Sequence, residues 1–81
     1  MTISSRLMPD DISIEELLSA NIRMIMGLKG FNKNELIIKS EVSRPTITVL
    51  LSNQSKGIQF STIDKIAKAL GVQPIELFQI R

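Results

Sequence analysis

The sequence predicts an all-α protein, a compact domain of five short helices over residues 13–81 that follows an N-terminal arm of residues 1–12. Three observations predict it. Apolar residues recur at helical spacing in every periodic stretch, and helix-start and helix-stop residues, not strand-like alternation, separate those stretches. The length of 81 residues allows one core and no second. Hydrophobic residues make up 43% and charged residues 22% of the chain. That is too apolar for a disordered tail and too interrupted for a membrane span, so a soluble, folded protein is expected.

The elements follow in order. Residues through Met8, Pro9, Asp10 and Asp11 show no periodicity and end in turn formers, hence the arm. Ser13 with Glu16 three residues later is a capping-box signature for the first helix. Ile14, Leu17, Leu18, Ile22 and Ile25 give that helix one apolar stripe, and Gly27 or Gly30 can end it near Lys29. Asn32 and Glu35 repeat the signature for a second helix, Lys33 to Ser40, with Leu36, Ile37 and Ser40 inward. After a turn of about three residues, Ser43 caps a third helix, Arg44 to Ser52, whose first turn holds Pro45, where a missing N–H costs nothing. Its inward residues are Ile47 and Leu50, with Leu51 a further candidate, and Arg44, Thr48 and Val49 lie on the other face. Asn53 to Gly57 reads as an exposed loop. Ser61 and Asp64 form another capping box for a fourth helix with Ile63, Ile66, Ala67 and Leu70 buried, stopped by Gly71. Pro74 opens a fifth helix with Ile75 and Phe78, and Leu77 as a further candidate, on its buried side.

Composition removes whole classes of function. The chain has no cysteine and no histidine, which eliminates disulfides, zinc fingers, thiol nucleophiles and His-based triads. The carboxylates Asp10, Asp11, Glu15 and Glu16 are better explained by capping and the helix dipole than by acid–base work. An enzyme is not expected, nor is a metal or a cofactor. The N-terminus lacks the apolar core of a secretory signal, so a cytoplasmic protein is expected. The formal net charge is only +2, but it is uneven. Residues 29–60 carry Lys29, Lys33, Lys39, Arg44 and Lys56 against Glu35 and Glu41, whereas residues 1–28 are net acidic. A basic middle suits a modest anionic partner.

Two short helices joined by a tight turn, Lys33 to Ser52, form the helix-turn-helix unit, whose second helix can enter the DNA major groove. The runs Lys29-Gly30-Phe31-Asn32-Lys33-Asn34-Glu35-Leu36, Val42-Ser43-Arg44-Pro45-Thr46-Ile47-Thr48 and Ile66-Ala67-Lys68-Ala69-Leu70-Gly71-Val72, with Glu76-Leu77-Phe78, resemble the Cro/C1-type (XRE-like) helix-turn-helix family over about residues 14–78. The resemblance implies a lambda repressor-like five-helix domain that binds double-stranded operator DNA as a homodimer. It makes residues 44–52 the recognition helix and assigns base-edge contacts to Arg44, Pro45, Thr48 and Val49. Arg44 could fork onto guanine, whereas Pro45 and Val49 could only touch apolar groups such as the thymine methyl. Backbone contacts fall to Lys33, Ser43, Asn53, Gln54, Ser55 and Lys56.

The chain departs from the family pattern in several places. Lys33 replaces a frequent glutamine, keeping a phosphate contact but losing the amide's acceptor. Ile37 replaces a common alanine and Glu41 a common glycine in the turn, where a positive φ would strain it. One residue is inserted in the loop at 53–56. Met24, Met26, Leu28 and Ile38 stand where relatives are usually polar, and are a candidate surface for a partner protein. The C-terminal Leu77, Phe78 and Ile80 are a candidate dimer surface, and the arm could instead cover one patch in cis. The leading expectation is therefore a small repressor or controller. Its rival is a protein-interaction module on the same scaffold, such as an antitoxin or antirepressor.

Overall fold

The computed structural model describes residues 13–52 and 57–80, and the expected arm and most of the polar loop lie outside them. Among the described residues there are four α-helices and no strand: α1 (Ile14–Lys29), α2 (Lys33–Ser40), α3 (Arg44–Leu51) and α4 (Phe60–Leu70), followed by a 3₁₀ turn, Pro74–Phe78. The fifth helix of the sequence reading is thus a 3₁₀ turn.

The local signals explain most boundaries. Two of the three expected capping boxes form: Ser13 Oγ accepts the Glu16 amide at 3.1 Å while Glu16 accepts the Ser13 amide at 2.8 Å, and Asn32 and Glu35 do the same at 2.8 and 3.0 Å. At the other end of α1, Gly30 takes the left-handed conformation (φ 73°) and the Phe31 amide returns to the Met26 carbonyl at 2.9 Å. Gly71 closes α4 in the same way, with Val72 reaching back to Ala67 at 3.0 Å. These are Schellman closures, and in both the following apolar residue, Phe31 or Val72, packs on the core.

The core is one cluster built from every helix: Leu18, Ile22, Ile25 and Met26 of α1, Leu36 of α2, Ile47 and Leu50 of α3, Ile63, Ile66, Ala67 and Leu70 of α4, with Val42 and Leu77. At about 1.5–3 kcal/mol for each fully buried aliphatic side chain, this cluster, not helix propensity, holds helices as short as eight residues.

Four side-chain expectations are corrected. Ile14 is exposed, because it sits on the first turn of α1 where no neighbouring helix covers it. Met26 is buried and Met24 packs partly against the core, so they do not belong to a surface patch; Met26 follows Ile22 by four residues and shares its face. Ile75 is exposed and Leu77, fully buried, takes its place. The Ser61–Asp64 capping box does not form. The helix begins before it, with Gln59 as N-cap making no side-chain cap and the Thr62 and Ile63 amides closing on the Gln59 carbonyl at 3.1 and 3.2 Å. Asp64 pairs with Lys68 at 3.1 Å instead, an exposed contact one helical turn away.

The end of the 3₁₀ turn is tied to α1. Asn21, buried on α1, donates both amide hydrogens outward from the core, to the Leu77 carbonyl at 2.9 Å and the Gln79 carbonyl at 2.8 Å. These bonds give partners to carbonyls at the C-terminal end of the turn, where a helix terminus leaves them without one. Residue 79 is already extended.

Candidate nucleic-acid interface

The α2–turn–α3 unit is built by short-range chemistry at each step. Glu41 ends α2 in the left-handed conformation (φ 59°, ψ 26°), the only non-glycine residue with positive φ among the described residues. Its amide bonds the Ile37 carbonyl at 3.0 Å. The buried Ser40 hydroxyl then accepts the Val42 amide at 3.2 Å, and Val42 turns into the core. Ser43 is the N-cap of α3: its oxygen meets the Thr46 amide at 3.4 Å and the Thr46 hydroxyl at 2.8 Å. Ile37, the large residue between the two helices, is half-buried against the cluster and so finds room at its edge.

Ile47 and Leu50, both fully buried, pin one side of α3. The opposite side therefore faces outward, and Arg44, Pro45, Thr48 and Val49 all lie exposed on it. Ser43 is exposed beside them and Lys33 is half-buried at the first turn of α2. The structure thus leaves Ser43, Arg44, Pro45, Thr48 and Val49 exposed on α3 and its cap, with Lys33 next in sequence to Asn34, the partner of Arg44. Asn53, Gln54, Ser55 and Lys56 lie outside the described residues.

Two further residues shape this surface without a clear sequence signal. Asn34 accepts a hydrogen bond from the Arg44 guanidinium at 2.8 Å, joining the start of α2 to the start of α3. An arginine held in this way loses less rotamer freedom on meeting a planar acceptor. Arg23 donates to Ser19 Oγ and to the Leu51 carbonyl, both at 2.8 Å. A cation at the last carbonyls of α3 satisfies an orphan acceptor and favours the helix dipole. Ser52 adds a bond to the Val49 carbonyl at 3.0 Å. Helix α3 is therefore held at both ends. Only the Ser19–Arg23 step, four residues apart on one helix, was open to sequence reasoning.

Among the described residues no group of three or more acidic side chains could hold a metal ion, and no helix is long and apolar enough to cross a membrane. Lys39 stands 5.0 Å over the Phe31 ring, a contact that covers the ring with a cation.

This geometry, an outward rod braced by its partner helix, can be set beside known proteins. The family model for the Cro/C1-type helix-turn-helix DNA-binding domain matches residues 21–81. The chain belongs to the Cro/C1-type helix-turn-helix family. A solved structure titled a hypothetical transcription factor, NHTF, from Neisseria is similar to this Cro/C1-type domain with a TM-score of 0.78 and 28% identity, over 89% of this chain and 82% of that one. No curated protein matches it. The Cro/C1-type domain is a DNA-binding module of the regulator kind, and its all-helical fold is the one expected from the sequence.

Proposed function

We propose that the chain is a small transcriptional repressor or controller that works in the cytoplasm as a homodimer on operator DNA, with one α3 in each of two half-sites about one helical turn apart. The observation that carries the reading is the exposed face of α3. Arg44, Pro45, Thr48 and Val49 stand outward from a helix whose other side is locked by Ile47 and Leu50, and Arg44 is already aimed by Asn34. Arg44 reads a guanine edge, while Pro45, Thr48 and Val49 supply apolar or hydroxyl contacts. Lys33 and Ser43 engage phosphate from the two helix starts, and Asn53, Gln54, Ser55 and Lys56 grip the backbone beyond α3. Such a protein acts by occupying a promoter.

The rival reading, a protein-interaction module, loses ground with Met24 and Met26 taken into the packing. Leu28 and Ile38 remain, at 79% and 75% exposure.

The test is fluorescence titration of the chain against duplex DNA from upstream of its own gene and against a scrambled duplex. Affinity should fall steeply with salt on both. Arg44→Ala and Asn34→Ala should narrow the gap between the two duplexes, with Arg44→Ala costing about 1–3 kcal/mol on the specific site. Equal losses on both duplexes would refute base reading by Arg44.

A further inference from the structure

The start of α1, the start of α4 and the end of the 3₁₀ turn border one apolar cleft of about 170 Å³. Leu18 and Ile63 are its buried floor, and Ile14, Ile58, Phe60 and Phe78 stand around it. Phe60 is 88% exposed and Ile14 59%. Scattered surface apolar residues need no explanation. A convergence around a hollow does. The one charged lining residue is Glu15. Its side chain is half-buried and forms no ion pair or hydrogen bond among the described residues. An acid suits the amino end of a helix, and at the edge of an apolar hollow it also attracts a cation more strongly than it would in open water.

We propose that this cleft is the seat of the chain's own residues 1–12, with Leu7 and Met8 filling it and Arg6 paired with Glu15. Size favours this occupant. An apolar cavity of ~150 Å³ takes a ring as large as benzene, so the cleft has room for one or two side chains and not for a further helix. Reach favours it as well. Ser13 is extended and its neighbour Ile14 is already a wall of the cleft, while Leu7 lies only six residues upstream, a length of chain that spans up to ~20 Å. Between them, Met8-Pro9-Asp10-Asp11 places proline and aspartate where a tight turn uses them, which folds the segment back over α1. The chemistry matches on both sides. Arg6 is the sole basic side chain of residues 1–12 and adjoins Leu7 and Met8, so a cation and an apolar pair arrive together at a cleft that offers one carboxylate among apolar walls. A methionine thioether suits an irregular hollow with the Phe60 and Phe78 rings at its rim. The segment is then a strap across α1, α4 and the 3₁₀ turn, and Phe60 is its anchor. This assignment is independent of what α3 binds.

The experiment is NMR spectroscopy of the full chain with labelled leucine and methionine methyl groups. Cross-relaxation should connect the Leu7 and Met8 methyls to the Phe60 ring, and an equal mixture of labelled and unlabelled chains should show that these cross-peaks arise within one molecule. Thermal melts supply the second reading. Leu7→Ser and Met8→Ser should each lower the melting temperature by about 4–8 °C, and by less than half as much when Phe60→Ser is already present, whereas Leu28→Ser, an exposed control, should leave it unchanged. Arg6→Gln should give a smaller drop that vanishes in concentrated salt and in the Glu15→Gln background. Absence of the methyl-to-ring cross-peaks overturns the proposal. Cross-peaks that pass between chains, which would seat a second copy in the cleft, overturn it too, and so do drops in melting temperature that are as large with Phe60→Ser as without it.

Discussion

Replacing Glu41 with glycine should stabilise the protein, and the amount can be worked from its backbone. Glu41 sits at φ 59° and ψ 26° as the C-cap of α2. A side chain in the left-handed region costs about 1–2 kcal/mol relative to glycine, from crowding of Cβ against its own peptide. Glycine returns about 0.4–1 kcal/mol of that through the greater freedom of the unfolded chain. The exposed carboxylate also stands at the negative end of α2, and removing it adds ~0.3 kcal/mol at low salt. The net gain is about 1 kcal/mol, or about 4–8 °C in Tm for a domain of this size. Urea denaturation and calorimetry of Glu41→Gly, Glu41→Asn and Glu41→Gln read the parts separately. Asparagine tolerates the left-handed region and should recover much of the gain; glutamine removes only the charge and should recover the small electrostatic share. If Glu41→Gln matches Glu41→Gly, the backbone reasoning is wrong.

Two more outcomes follow from the packing. Asn21→Ala should cost about 2–3 kcal/mol in urea denaturation, because it leaves the Leu77 and Gln79 carbonyls without their donor; Asn21→Asp, which sets a carboxylate against the same carbonyls, should cost more, and a variant as stable as the original would refute the account. Met26→Lys should destabilise by at least about 3 kcal/mol through burial of a charge, whereas Leu28→Lys, two positions on and exposed, should stay within about 0.5 kcal/mol; similar melting temperatures for the pair would return Met26 to the surface.

The parts of the fold legible in the sequence are those decided within a few residues. Ser13, Asn32 and Ser43 start their helices because the oxygen that caps and the amide it meets are three positions apart. Gly30 and Gly71 stop theirs for reasons as local. The Ser61–Asp64 pair has the same signature and fails, because the α4 backbone closes on Gln59 first. Legibility drops where a partner is remote. Asn21 meets Leu77 and Gln79 across more than fifty residues, a tie that no local pattern announces. In the candidate interface, the outward face of Arg44, Pro45, Thr48 and Val49 was readable from the inward face of Ile47 and Leu50. Arg23 and Asn34 were not, since each earns its place through a carbonyl or guanidinium on another helix. Met26 is a different case: its spacing from Ile22 suffices to place it inward, and its polar-family position misleads.

The Arg23 bond to Leu51 also bears on how such a protein can diverge. In the proposed reading of DNA by α3, a helix tied to the longest segment of the scaffold can exchange its outward side chains without re-aiming the molecule at the duplex. New target sequences then become reachable by changing a handful of side chains, while the angle of approach stays as it is.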